Sequence, residues 1–297
     1  MYYKTLICTW NILDDSHKIL LGNCLIIFGI TGLVLNIWLF IAFIRNQIVS
    51  SRSYLFMLAF CIACIVRGIL VVVFSSFSAL LTRWLFGYTA CQLFGFFKLT
   101  VGIFQMTLLA FMGIERYLSV GTMHKGEELS YKFYIISSVF CWIFAMTIAS
   151  FPLVGYSGYI YDTTCTACEL DWKLNDYYQK SFNISVIVLT AIIPILINCL
   201  FLYFATIKEK QFSKRKRYNQ TDTTKAVGMT TILTYLFWIP RAILIAWIPY
   251  VKGKIPVALT VMAPLGAEVS VIIPVLTYLV YLPGLRHALI VALSKRN

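Results

Sequence analysis

Residues 84–117 read WLFGYTACQLFGFFKLTVGIFQMTLLAFMGIERY, and the spacing inside this stretch decides the fold. Trp84-Leu85-Phe86-Gly87 begins seven residues ahead of Cys91, and Arg116, within Glu115-Arg116-Tyr117, follows that cysteine by twenty-five. The run between them is apolar and long enough to cross a bilayer core, which takes about 20 helical residues.

The rest of the chain extends this pattern. Its 297 residues are 60% hydrophobic and only 12% charged, with a mean hydropathy of +0.81. A soluble globule carries less apolar content and more charge. Seven stretches have spanning length, at roughly 20–45, 53–77, 90–114, 133–154, 182–207, 226–249 and 257–281. Seven spans leave no room for a second domain, so residues 1–297 read as one all-α membrane domain, a seven-transmembrane helix bundle. No sequence repeat and no long low-complexity stretch is evident.

Charge sets the expected orientation. Basic residues collect after span one (Arg45, Arg52), span three (Lys125, Lys132), span five (Lys208, Lys210, Lys214, Arg215, Lys216, Arg217) and in the tail (Arg286, Lys295, Arg296). The opposite loops carry Asp162, Glu169, Asp171 and Asp176. The positive-inside bias then places the N-terminus outside and the C-terminus in the cytoplasm. The net charge of +13 is a topology signal. It does not predict a nucleic-acid partner, because the basic residues are split among short loops. Residues 1–18 carry no signal-peptide pattern.

Of nine cysteines, Cys24, Cys61, Cys64, Cys141 and Cys199 sit within apolar spans and read as small hydrophobes. Cys91, Cys165 and Cys168 fall on the expected outer face, where disulfides persist. No zinc-like spacing stands out, and no metal site is expected. Asn183-Ile184-Ser185 and Asn219-Gln220-Thr221 match a glycosylation acceptor, but one starts a span and the other faces the cytoplasm, so both read as chance.

The stretch from Trp84 to Tyr117 resembles the first outer loop and third helix of a rhodopsin-like (class A) G-protein-coupled receptor. More narrowly, CQLFGFF followed by ERY resembles an opsin. Asn36 in span one, Trp142 in span four, Pro194 and Tyr203 in span five, and Phe237-Trp238-Ile239-Pro240 in span six fit the same pattern. A proline within a helix removes a hydrogen bond and gives span six a place to swing. In span two, Ile62 stands where the family carries an aspartate, which removes the acidic centre of the usual internal sodium site. The second outer loop carries Pro152-Leu153, Gly155-Tyr156-Ser157, Tyr159, Asp162, Cys168 and Asp171 at opsin-like spacing. The resemblance implies a Cys91–Cys168 disulfide, with Cys165 as the rival partner.

Span seven departs from that pattern. Counting back ten residues from Tyr278 reaches Glu268, where an opsin has its retinal-binding lysine; aligning on Pro274 instead puts Ala267 there. Neither register holds a lysine. Tyr278 and Arg286, eight apart as in the family, favour Glu268. Residues after Leu282 are expected to form a short C-terminal amphipathic helix.

Four ionisable residues, Lys98, Asp162, Arg241 and Glu268, are expected to converge on the ligand cavity, beside Gly102 and Trp238. Lys98 lies seven residues below Cys91, about 10 Å inward at 1.5 Å per residue. An unpaired charge at the bilayer centre costs about 2.5–3.5 kcal/mol even on the mildest scale. Three readings stay open. The cavity binds a diffusible polar molecule between Lys98 or Arg241 and Glu268, or the same charges form a structural bridge among spans three, six and seven. A third reading, ranked behind these, has retinal relocated onto Lys98 with Glu268 or Asp162 as counterion. No cofactor is otherwise expected. Arg67 in span two is a further buried cation whose direction the sequence leaves open.

At the other end, the resemblance assigns coupling to Glu115, Arg116 and Tyr117, with Arg116 released from Glu115 on activation, and to Tyr203 and Tyr278. The supplementary acid of span six is missing, with Gln220 in its place and Asp222 nearest, so a loose resting state is expected. The implied partners are a heterotrimeric G protein, a small-molecule ligand or retinoid, and the lipid bilayer of the plasma membrane. Enzymatic function is not expected, since His17, His124 and His287 all lie outside the spans. A non-signalling retinoid-binding protein is the alternative from another class. A transporter is disfavoured because no inverted repeat is evident.

Overall fold

In hydrocarbon every backbone N–H and C=O must pair within its own segment, so apolar runs of spanning length become helices. The computed structural model describes residues 8, 12–45, 52–123, 127–172, 176–213, 221–250, 255–283 and 285–287. Lys125, Lys214 to Arg217, Gln220 and the tail beyond residue 287 lie outside them.

Span one is α1 (Asp15–Arg45). Span two is α2 (Tyr54–Leu70), a π turn (Val71–Ser76) and α3 (Phe77–Leu80). Span three is α4 (Gly87–Met123), and span four is α5 (Tyr131–Ser150) closed by a 3-10 turn. Span five is α6 (Tyr177–Ile187), a π turn (Val188–Ile192) and α7 (Ile193–Ser213). Span six is α8 (Thr221–Tyr250), and span seven is α9 (Val257–Val269) with α10 (Ile273–Tyr281). Among the described residues, six helical segments are long and apolar enough to cross a membrane, and the bent α9–α10 pair supplies the seventh. Side-chain caps fix three helix starts among the described residues: Asp14 accepts from the His17 amide, Ser130 from that of Phe133 and Asp176 from that of Gln179.

Prolines explain the irregularities of spans five and seven, whereas the π turn of span two contains none. Pro194 has no N–H to give the Thr190 carbonyl, and the helix widens into the π turn just before it. Pro274 likewise leaves the Ser270 carbonyl without its helical donor. The Val271 and Ile272 amides bond three residues back, to Glu268 and Val269, and the span bends by 45° at the break between Val269 and Ile273.

Helix α4 is the axis of the bundle. It touches α2, α5, α7 and α8, and 72% of its most apolar window is buried, against 17% for α8. Phe104 stacks on Trp142 at 4.2 Å between α4 and α5. Asn36 donates to the Gly32 and Val271 carbonyls and its own carbonyl accepts from the Cys61 thiol, joining spans one, two and seven. That inner position was expected to belong to Ile62. Ile62 is instead 40% exposed, because the face of α2 that packs inward is Met57, Cys61, Cys64 and Gly68. The Arg286 amide donates to the Leu282 carbonyl, and the rest of the segment expected to form a short amphipathic helix lies outside the described residues. Asn183 is buried and donates to the Asp171 carbonyl, so it offers no glycosylation site.

Candidate functional site

The cap over one end of the bundle grows from the loop after span four. Strands β1 (Tyr159–Tyr161) and β2 (Cys168–Leu170) pair antiparallel, with Tyr161 opposite Cys168. A Cys91–Cys168 disulfide anchors the hairpin to the top of α4. Gly95 lets it lie flat on the helix, since a Cβ there would run into the Tyr159 ring. Cys165, the rival partner, bonds to Cys8 instead. The sequence did signal this second bridge: Cys165 was left over on the expected outer face, and Cys8 stands alone in the segment before span one.

Between the strands Asp162 is buried in a tight turn. Its carboxylate accepts from the Thr164 hydroxyl at 2.8 Å and from the amides of Thr164, Thr166 and Ala167. Burial pushes its pKa up, the like charge of Glu169 adds to this, and Lys98 opposes it.

Beneath the cap lies a cavity of about 680 Å³. Lys98, Gly102, Asp162, Trp238, Arg241 and Glu268 all line it, so the structure brings the six sequence-derived positions together. Their pairing differs from the expected bridge. Glu268 is held by Arg67 of span two, with Nε to Oε1 at 3.1 Å and both side chains 3% exposed. Arg241 pairs with Glu169 of β2. Both changes share one cause: an arginine side chain reaches further than helix position alone indicates, and each buried cation takes the carboxylate within that reach. Charge-assisted pairs are the strong ones in such surroundings.

Lys98 is left outside these pairs. Among the described residues its ammonium has no hydrogen-bond acceptor and no salt bridge; it lies 5.5 Å from the Phe94 ring centroid. Glu268 Oε2 is buried without a donor. The Arg67 guanidinium also stands 5.1 Å from the Trp238 ring, and Trp238 donates to the Ser270 hydroxyl at the span-seven bend. Gly102 faces the edge of the same indole. The floor of the cavity therefore links spans two, three, six and seven.

The opposite end carries the acid–arginine pair. Arg116 Nε donates to Glu115 Oε2 at 2.6 Å, and Glu115 also accepts from Ser53, Ser119 and Tyr134. Tyr117 packs edge-on against Phe201, under the Lys208 ammonium. Tyr278 is fully buried, and its hydroxyl lacks a partner among the described residues. Tyr203 is 62% exposed and turned to the outer surface, so this conformation does not bring it to Arg116. Asp222 forms only a surface pair with Lys225 at 3.7 Å. Glu209, buried at the end of α7, instead accepts from Thr224 of α8 and lies within the electrostatic reach of Arg116. Sequence reasoning missed it because Lys208-Glu209-Lys210 reads as a solvated charge run.

A seven-span membrane receptor with a capped cavity at one end and an acid–arginine pair at the other is the class these features define. The chain belongs to the rhodopsin family of seven-transmembrane receptors, whose family model matches residues 35–279. Visual pigment-like receptor peropsin of Homo sapiens is 23% identical over 289 residues, covering 94% of this chain and 86% of the relative. Rhodopsin, G0-coupled, of Mizuhopecten yessoensis is 22% identical over 247 residues, covering 80% and 61%. The crystal structure of squid rhodopsin shares the fold with a TM-score of 0.86 at 19% identity, covering 97% of this chain and 89% of that one.

Proposed function

We propose that this opsin-like receptor senses a diffusible small molecule held non-covalently between Lys98 and Glu268, and passes the signal through Arg116 to a heterotrimeric G protein. The observation that carries the reading is a mismatch inside the cavity: an ammonium without an acceptor and a carboxylate oxygen without a donor. Buried polar groups are ordinarily satisfied, so the buried Glu268 Oε2, in the same chamber as the half-buried Lys98 ammonium, calls for a ligand. Glu268 stands where the resemblance places the retinal lysine, and a carboxylate cannot form a Schiff base. In this reading residues 1–297 act as a single, non-enzymatic receptor domain in the plasma membrane, with the N-terminus outside and the Arg116 end in the cytoplasm. The name of the Mizuhopecten relative supports G-protein coupling by analogy.

A second reading keeps retinal, bound to Lys98. One observation favours it: the Lys98 amine faces the cavity beside two acids that could serve as counterion, Asp162 and Glu169. An absorbance spectrum of the purified receptor after incubation with 11-cis- and all-trans-retinal, with borohydride trapping, separates the two. No shifted visible band and no trapped adduct are expected. A band that bleaches in light, with an adduct lost in Lys98→Ala, would overturn the non-covalent reading.

A further inference from the structure

Six ionisable groups line the cavity, three of each sign. Arg67 is committed to Glu268 and Arg241 to Glu169. Asp162 accepts from the hydroxyl and amides of its own turn, the amides all at Oδ1, and among the described residues it makes no hydrogen bond or salt bridge with Lys98. Of the three cations Lys98 is the one without a salt bridge among the described residues, and nothing among them accepts a hydrogen bond from it.

The surroundings of Lys98 restrict what it can hold. A desolvated ammonium is costly unless an anion or a strong acceptor meets it. Both guanidinium groups nearby are occupied, so one cation is on offer. A doubly charged phosphate would need a second, and a monoanion matches. Leu99, Ile103, Met106, Ile195, Ala242 and Ile245 are among the apolar residues that line the same cavity. The cavity's volume falls within the range of about 300–1,000 Å³ that buries a drug-sized molecule.

We propose that the cavity takes a small, mostly apolar monocarboxylic acid, with its carboxylate on the Lys98 ammonium and its body against the aliphatic walls; this rests on the non-covalent ligand reading above. The acid head would supply the acceptor that Lys98 lacks, and the apolar body would displace water poorly held by those walls.

The test uses the full-length receptor in lipid nanodiscs and reads thermal unfolding against ligand concentration. The probes are decanoic, hexadecanoic and all-trans-retinoic acids, each beside its matching alcohol, with decylamine as a charge-reversed control. A ligand that binds only the folded state raises Tm with concentration. At least one acid is expected to stabilise the receptor while its alcohol and the amine do not. Lys98→Gln should weaken that acid by about ten- to a hundredfold, as loss of a charge-assisted hydrogen bond implies. Lys98→Arg, which keeps the charge, should hold the affinity within a few-fold and shows that position 98 tolerates substitution. Equal shifts from acid and alcohol, no shift from any acid, or unchanged acid affinity in Lys98→Gln would each overturn the assignment. A retinal adduct trapped on Lys98 would overturn the underlying ligand reading as well, whereas failure of the acids alone leaves it standing.

Discussion

Buried charges at the two ends of the bundle are paired over very different ranges. At one end Glu115 and Arg116 are neighbours in the chain; their partners Ser119 and Tyr134 lie 4 and 19 residues from Glu115, and Ser53 of span two lies 62 away. At the cap end Arg67 and Glu268 are 201 residues apart, and Arg241 and Glu169 are 72. A local pair forms wherever its helix forms. The two long-range pairs exist only once spans two, six and seven and the loop hairpin are in place, so they report on the assembly. The Arg116 end is therefore suited to be released and remade, and the cap end to hold the bundle together around its cavity.

The sharpest way to break this contrast is to remove one side of the long-range pair. Glu268→Ala leaves Arg67 buried without its carboxylate and is expected to destabilise the fold by about 3–5 kcal/mol. Thermal unfolding would show it, and the double change Arg67→Met with Glu268→Met should recover most of the loss. If Glu268→Ala left Tm unchanged, the pair would not be structural. Glu115→Gln weakens the local pair by about 1.5–3 kcal/mol, the worth of hydrogen bonds to a charged group. Its expected readout is different in kind: basal nucleotide exchange on a G protein rising about tenfold or more, with a smaller change in Tm. Thr224→Ala removes one hydrogen bond to Glu209 between α7 and α8, worth about 0.5–1.5 kcal/mol, and should raise basal exchange by a few-fold.

The smallest effect concerns pH at the cap. Asp162 has a folded-state pKa above its ordinary value of 3.8. The folded state thus holds the proton more tightly, and the associated stability is present at low pH and is lost as pH rises through that raised value. Asp162→Asn should accordingly be more favourable at neutral pH than in acid. Comparing its Tm with that of the unchanged receptor across the acid range checks the sign.

Much of this architecture was legible because the bilayer imposes it. Cys91 and Arg116, a membrane's width apart, located span three, and the other apolar runs followed. The helix ends were not legible, since α4 continues to Met123, past the apolar run expected to end near residue 114. Hydropathy marks where hydrocarbon stops, whereas backbone hydrogen bonding carries a helix beyond it. At the cavity the six candidate positions came from the resemblance to opsins, yet their pairing did not. Pairing depends on side-chain reach across helices, and neither Arg67 nor Glu169 announced its partner. Glu209 illustrates the same limit at the other end, where a carboxylate flanked by two lysines turns inward to Thr224.

The two disulfides have a topological consequence. The bond from Cys8 to Cys165 closes a ring that contains Cys91, while Cys168, the partner of Cys91, lies just outside it. The rings overlap rather than nest, so the stretch from Cys91 to Cys165 is common to both. Cutting one bond leaves that shared arc tethered by the other. Reduction of the Cys8–Cys165 bond alone should therefore leave the hairpin held to α4 through Cys91–Cys168.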